Sequence, residues 1–166
     1  MIWISSLSII FMLQKTGVIN TENFVTSKNN GWWSILTGPF LHGGFSHFSG
    51  NIVGLVVGSS LLLNLYKKMY WRVMLLGLII PPTIMYLLGG NSLGISGLVF
   101  ATLWFVAIRG VLSLNWLRFL IGIVIILFYG SSLKSAFPIA SYGIAWQAHF
   151  AGLITAIIMA IYSRLK

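Results

Sequence analysis

The sequence predicts an all-α, multi-pass membrane protein, on the strength of its composition and of the spacing of its apolar segments. Of the 166 residues, 58% are hydrophobic and only 7% are charged, and the mean hydropathy is +0.96. A soluble domain carries about 25% charged residues, so this composition belongs in a lipid bilayer. Six apolar segments separated by polar or charged stretches then predict a six-transmembrane-helix bundle, in a single domain over residues 1–166 with no soluble appendage.

Cysteine usage and net charge narrow the classes of function. The chain has no cysteine, which excludes disulfides and thiolate metal sites. Its net charge of +9 raises the question of whether the protein binds nucleic acid. The basic residues are scattered, however, and most follow apolar runs, which is typical of side chains at a membrane surface. We therefore expect the lipid bilayer as a partner and no nucleic acid.

The first apolar segment, residues 1–13, is short for a span, because about 20 residues are needed to cross the hydrocarbon. It lacks the basic start and small-residue cleavage site of a signal peptide, so we interpret it as a first transmembrane helix. A long polar and aromatic loop over residues 16–46 follows. This loop holds Glu22, the only acidic residue of the chain.

The second span is predicted over residues 45–66. Gly50, Gly54 and Gly58 repeat there at every fourth position, which gives one helix face smooth enough for a close neighbour.

Four further spans complete the predicted bundle. A proline pair, Pro81-Pro82, predicts a bend in the third span, and the last span repeats the stripe of small residues in Ala148, Gly152, Ala156 and Ala160. These four spans cover residues 70–88, 96–108, 114–129 and 146–162.

The cationic residues predict the orientation. With six spans, both termini lie on the same side as the loops at 67–72 and 109–118. That side holds seven of the ten cationic residues, and the positive-inside rule makes it cytoplasmic. We expect a multi-pass protein of a bacterial cytoplasmic (inner) membrane with both termini in the cytoplasm. The seven residues are Lys67, Lys68, Arg72, Arg109, Arg118, Arg164 and Lys166.

Three of the spans carry polar residues at similar depth. At about 1.5 Å per helical residue, Ser96, His149 and Asn51 lie roughly 20–24 Å from the cationic residues that end their helices. In a hydrocarbon layer about 30 Å thick, all three fall below the outer surface at one level. His47 is one turn above Asn51, nearer the rim.

This set suits nucleophilic catalysis. A serine hydroxyl is a weak nucleophile until a neighbouring base takes its proton, and His149 is a candidate base for Ser96. Because Glu22 lies outside the spans, a Ser-His-Asp triad is impossible and a Ser-His dyad remains. Phe100, one turn after Ser96, is placed to stack against the imidazole.

Hydrolysis through such a dyad also needs hydrogen-bond donors for the tetrahedral oxyanion. The Asn51 amide, a His47 ring N–H and the backbone N–H of Ser96 are candidates. The loop at 89–94 is irregular backbone at membrane depth, which is tolerated where it is buried in protein or lines water.

Each of these features has a purely structural alternative. The stretch 94–97 is also typical of helix packing, His47 and Asn51 can bond each other across one turn, and His149 can be a satisfied core residue. With His42 there are three histidines, which raises the question of a metal site. Carboxylate and thiolate ligands are missing, so we expect no metal and no cofactor.

At these residues the chain resembles the rhomboid family of intramembrane serine proteases, over essentially all six spans. The family's His-x-x-x-Asn motif stands on the second span as His47-Phe48-Ser49-Gly50-Asn51. Its Gly-x-Ser-Gly motif begins the fourth span as Gly94-Ile95-Ser96-Gly97. Its Ala-His-x-x-Gly motif stands on the sixth span as Ala148-His149-Phe150-Ala151-Gly152. The chain departs from the family in four places. Trp33-Ser34 replaces a frequent Trp-Arg, which removes an anchoring guanidinium, and Phe100 replaces a frequent tyrosine. The acidic residue common after the second span is absent, and Ala156 replaces a common glycine in the last span.

The resemblance implies a role for each of these side chains. Ser96 would be the nucleophile, His149 the general base and acid, and His47 and Asn51 would stabilise the oxyanion with the Ser96 N–H. Gly94, Gly97 and Phe100 would support the site. Substrates would be proteins with a single transmembrane segment, cut near the outer face at small residues. A catalytically silent rhomboid-like protein that binds membrane helices is the main alternative, and a small transporter is a third.

Overall fold

The computed structural model describes residues 2–138 and 145–165 and is a bundle of α-helices. All six predicted apolar helices are present, and a short additional helix, α2, lies in the loop after the first. The helices are α1 (Ile2–Lys15), α2 (Ser34–Thr37), α3 (Phe45–Leu65), α4 (Tyr70–Leu88), α5 (Ser96–Val111), α6 (Trp116–Tyr129) and α7 (Trp146–Tyr162).

Two predicted boundaries were wrong by a few residues. Helix α5 continues beyond Ile108 to Val111, because arginine is a good helix former and Arg109 does not interrupt it. Helix α6 begins at Trp116 rather than Leu114, because the Asn115 side chain caps it by accepting a hydrogen bond from the N–H of Arg118 at 3.1 Å.

Three segments are long and apolar enough to cross a bilayer, while α1, α5 and α7 are shorter apolar helices. Many large apolar side chains face outward, among them Leu127 and Phe128, which are 74% and 79% exposed. In a bilayer these side chains contact lipid tails, so their exposure is favourable there. The chain is thus an all-α polytopic membrane protein. The three long segments are Phe45–Leu65, Lys67–Leu88 and Trp116–Ala136.

Helix α5 forms the centre of the bundle, where it contacts α3, α4, α6 and α7. Its side chains are buried almost all around, and its one buried hydroxyl, that of Thr102, donates to the carbonyls of Leu98 and Val99 one turn earlier. Ser96 therefore begins a helix that four others surround, while its own side chain is half-buried.

Small residues set the distances between α5 and its neighbours. A Cβ added at Gly54 would lie 2.5 Å from the Val99 side chain, and one at Gly58 would lie 2.5 Å from Thr102. The predicted glycine face of α3 is thus in contact with α5 at two of its three positions. The prediction was wrong for Gly50, which has no such neighbour and lines a cavity instead.

Helix α4 contains Pro81 and Pro82 without being ended by them. Both prolines are buried, and Pro81 packs directly against Gly97 at the start of α5. The predicted bend at this pair stays a prediction.

The loop between α1 and α3 is organised around Ser34, which is fully buried. Its hydroxyl donates toward the carbonyls of Gly31 and Ser27 and accepts from the N–H of Ser27, while its carbonyl accepts from the Thr26 hydroxyl. Ser34, which stands where the family frequently has an arginine, thereby anchors the loop.

The same loop holds the segment that precedes Ser96. Thr26 and Ser92 exchange two backbone hydrogen bonds of 3.0 Å, and the N–H of Gly94 donates to the carbonyl of Gly38 at 3.0 Å. Because the backbone on both sides of this contact is fixed, the irregular turn into α5 has a defined shape.

Candidate active site

Ser96 and His149, which the sequence placed at one depth on separate helices, are in direct contact. The Ser96 hydroxyl lies 2.8 Å from Nε2 of His149. Two glycines allow this approach: a Cβ at Gly152 would collide with the carbonyl oxygen of Gly97, so α5 and α7 touch backbone to backbone beside the pair. The small-residue stripe of α7, which the sequence predicted, is the surface that makes this contact.

The contacts of the other ring nitrogen of His149 indicate its tautomer. Nδ1 lies 2.9 Å from the Ser135 hydroxyl and 3.2 Å from the Ser135 carbonyl oxygen. The Ser135 carbonyl oxygen can only accept a hydrogen bond, and the Ser135 hydroxyl is placed to donate to the carbonyl of Ser132 at 2.7 Å. This arrangement favours the tautomer with the proton on Nδ1, in which Nε2 presents a lone pair to the Ser96 hydroxyl.

Phe100 holds the imidazole from its face. The two rings are stacked with centroids 4.5 Å apart and planes 6° from parallel, as the one-turn spacing from Ser96 predicted. The ring of His149 is thus located by a hydrogen bond at each nitrogen and by an aromatic plane.

The predicted oxyanion donors lie beside the turn that precedes Ser96. Asn51 is 6% exposed, and its Nδ2 has no hydrogen-bond partner among the described residues, so it does not bond His47 across the helix turn. A Cβ at Gly94 would lie 2.9 Å from His47 Nε2 and 3.2 Å from Asn51 Nδ2. Gly94 also has φ of +101°, so both its conformation and the space around it favour glycine.

The backbone N–H of Ser96 is the third predicted donor. Ser96 is the first residue of α5, so its N–H belongs to the helix-terminal donors that have no carbonyl one turn earlier. The Asn51 amide and the His47 imidazole thus lie beside Gly94, two residues before Ser96, and all three predicted donors belong to residues that line one cavity.

These groups open into a cavity of about 670 Å³ that is lined by residues of α3 and α5, by the loop before α5, by the segment 129–135 and by His149 of α7. Leu103 and Trp104, about two turns after Ser96, contribute apolar lining. A space of this size admits an extended peptide segment together with water. Its polar lining includes His47, Asn51, Asn91, Ser92, Ser96, Ser132, Ser135 and His149.

His42, the remaining histidine, lies behind His47 and does not line the cavity. Its ring is fully buried against Phe11, Phe48 and His47, and neither ring nitrogen has a partner among the described residues. Burial, with a smaller contribution from His47, lowers the pKa of the His42 imidazole to about 4. The Gln14 side chain of α1 holds the His42 backbone by accepting from its N–H at 3.0 Å and donating to its carbonyl.

Possible metal ligands are dispersed in the part of the chain that the structure describes. No three His, Cys, Asp or Glu side chains there form a group able to hold a metal ion.

Ser135 is the residue of this arrangement that the sequence reasoning missed. It lies in a 3₁₀ segment, Gly130–Ala136, that continues α6, and it meets His149 across 14 residues of chain. Serines are frequent in such segments and this one belongs to no recognisable motif, so only the packing of the segment against α7 identifies it.

Comparison with known proteins identifies the family. The family model for the Rhomboid domain matches residues 29–165. The chain is also 28% identical over 152 residues to uncharacterized proteins of Mycobacterium tuberculosis and Mycobacterium bovis, and 28% identical over 145 residues to one of Mycobacterium leprae. These alignments cover 80% of this chain but only 60%, 60% and 57% of the relatives, so the chain spans well under two thirds of their length.

Proposed function

Because the chain belongs to the rhomboid family, we propose that it is an intramembrane serine endopeptidase that hydrolyses peptide bonds in or near the transmembrane segments of membrane proteins. The observation that carries the proposal is the 2.8 Å contact between the Ser96 hydroxyl and Nε2 of His149. The contact supplies a nucleophile and its base in hydrogen-bonding geometry. Substrates, in this proposal, are single-span membrane proteins.

The first half of the reaction forms an acyl-enzyme. Ser96 Oγ attacks the carbonyl carbon of the scissile bond while its proton moves to Nε2 of His149. The carbonyl oxygen becomes an oxyanion that accepts hydrogen bonds from Asn51 Nδ2, the Ser96 N–H and His47. The C–N bond then breaks as His149 returns the proton to the leaving amine.

The second half uses water from the cavity. His149 takes a proton from the water, the hydroxide oxygen attacks the acyl carbon, and the bond to Ser96 Oγ breaks as Oγ regains the proton. Ser135 is a positioning residue in both halves, because it accepts a hydrogen bond from the Nδ1–H of His149 and so keeps Nε2 directed at Ser96. When His149 is doubly protonated between steps, the same two oxygens stabilise its charge.

The positive-inside bias of the sequence supports the membrane assignment that goes with this function. We place the protein in a bacterial cytoplasmic membrane with both termini in the cytoplasm, which puts the Ser96 site nearer the outer face. Neither a metal nor a cofactor has a step in the mechanism.

A fluorophosphonate probe tests the proposal, because it phosphonylates only an activated serine, with loss of fluoride. We expect the purified chain in detergent to be labelled at Ser96, as located by peptide mass mapping. Ser96→Ala should abolish the labelling, whereas Ser92→Ala, which removes a hydroxyl from the same cavity, should retain it. Absence of labelling in a folded wild-type protein would favour the silent helix-binding alternative.

A further inference from the structure

Two arginines converge on one tyrosine at the end of the bundle opposite the Ser96 site. Tyr66 directly follows α3, Arg109 is in the last turn of α5, and Arg118 is in the first turn of α6. The guanidinium carbons of Arg109 and Arg118 lie 5.9 Å and 5.0 Å from the centroid of the Tyr66 ring. Three helix ends thus bring two positive charges to one aromatic ring.

In the described part of the chain, no carboxylate lies against these charges. The only acidic side chain of the sequence is Glu22, in the loop at the other end of the bundle. Among the described residues, no side chain accepts a hydrogen bond from either guanidinium, Arg109 Nε is buried without a partner, and so is the hydroxyl of Tyr66. Two like charges held together and two buried donors left unpaired are unfavourable, unless an anion joins them.

We propose that Tyr66, Arg109 and Arg118 bind a phosphate group, and that the headgroup of an anionic phospholipid supplies it. Guanidinium groups match the geometry of phosphate oxygens, and a tyrosine hydroxyl adds one more donor. Both arginines are partly exposed, so a headgroup at the membrane surface can reach them. The bound phosphate would link the ends of α3, α5 and α6 and stabilise the bundle.

The geometry separates this site from the general positive charge of the same surface. Tyr66 is only 8% exposed, so its unpaired hydroxyl lies within the protein and not in solvent. Arg72, in contrast, is exposed, its NH1 donates to the carbonyl of Lys68 at 3.3 Å, and its guanidinium carbon lies 5.8 Å from the centroid of a different ring, that of Tyr162. Arg72 is therefore a matched control that removes one positive charge from this side without touching the proposed site.

Thermal unfolding of the purified full chain in mixed micelles tests the proposal independently of proteolysis. We expect phosphatidylglycerol to raise the Tm by several degrees over phosphatidylcholine at equal mole fraction, because a ligand that binds only the folded state stabilises it. Arg118→Gln and Tyr66→Phe should lose most of this difference, and Arg72→Gln should keep it. Arg118→Lys, which preserves the charge, should lose part of it.

Several outcomes would overturn the proposal. If the two lipids raised the Tm equally, or if Arg72→Gln lost as much of the Tm difference between them as Arg118→Gln, general surface charge would explain the effect. A third set of unfolding measurements compares the Tm in sodium phosphate with the Tm in sodium chloride at equal ionic strength. An increase in Tm with inorganic phosphate as large as that with the lipid would make soluble phosphate the ligand and refute the lipid source.

Discussion

A serine and a histidine 2.8 Å apart can exchange a proton only if the ring nitrogen that faces the serine carries none. In this protein the contacts that favour this tautomer lie away from the serine: Nδ1 of His149 faces the hydroxyl and the carbonyl oxygen of Ser135, and that hydroxyl is placed to donate to Ser132. The proposed chemistry thus depends on a chain of three serines and a histidine, with Phe100 stacked on the ring.

Replacing Ser135 tests this chain at the residue scale. Ser135→Ala should lower kcat roughly fivefold, since one hydrogen bond contributes about 1 kcal/mol and the Ser135 carbonyl remains as an acceptor. KM should change little, because the hydroxyl contacts the imidazole and not the bound peptide. Ser135→Thr, which keeps the hydroxyl, should recover most of the rate. If both variants had a lower kcat and an equally lowered Tm, Ser135 would have only a packing role.

Asn51 tests the proposed oxyanion site. Asn51→Ala should lower kcat far more than it raises KM, because its Nδ2 gains a partner only when the oxyanion forms. Loss of one such donor typically lowers kcat by about 10²–10³, and the loss here should be at the low end, since two donors remain. Probe labelling of Ser96 should slow but persist.

Asn64→Ala is the matched control for Asn51, because it removes the same amide from the same helix, where Nδ2 donates to the Ser60 carbonyl at 2.7 Å. It should leave kcat unchanged. An Asn51→Ala protein with normal kcat, or one whose activity recovers on stabilisation of the fold, would remove Asn51 from the site.

At the scale of helices, the contact of α5 with α7 sets the distance between Ser96 and His149. Gly152→Ala would place a methyl group against the carbonyl oxygen of Gly97 and 2.9 Å from Cβ of Phe100. Because these are backbone or near-backbone atoms that cannot rotate away, α7 must move. We expect a loss of about 1–3 kcal/mol of stability and much slower labelling of Ser96.

Gly130→Ala serves as its control, since the nearest atom to the added Cβ would be 4.0 Å away. It should unfold at the wild-type temperature and label at the wild-type rate. Normal labelling of Gly152→Ala would show that the backbone contact does not position the dyad.

The elements also show what the sequence can and cannot predict. The helices were predictable, because apolar runs and the charges that follow them report on the bilayer directly, and the contact of Ser96 with His149 agrees with the similar depth that was predicted for them. Ser135 and Ser34 were not predictable, because their roles depend on how a 3₁₀ segment and a loop fold onto distant parts of the chain. Gly50 shows the converse error: its regular spacing predicted a helix contact, but no atom of a neighbouring helix lies within 4 Å of a Cβ built there.

At the scale of the whole molecule, the distribution of cationic residues predicts that both termini are cytoplasmic. Because the sequence has no cysteine, single introduced cysteines can test this topology. Val18 is 70% exposed in the loop after α1, and Leu114 is fully exposed between α5 and α6. In intact right-side-out vesicles, a membrane-impermeant maleimide should label Val18→Cys at once and Leu114→Cys only after permeabilisation. The wild-type protein, without cysteine, is the blank. The opposite labelling pattern would invert the topology and place the Ser96 site near the cytoplasmic face.

The central claim is that Ser96 and His149 act together as a proteolytic dyad inside the membrane. Its most direct test is cleavage of a single-span test protein, with small residues near the outer end of its span, co-reconstituted with the enzyme in liposomes. We predict that the wild-type chain cuts this test protein. Ser96→Ala and His149→Ala should each cleave it at least about 10³-fold more slowly, and by similar factors, because a nucleophile and its base act as a unit. Substantial cleavage by a folded Ser96→Ala protein would contradict the account.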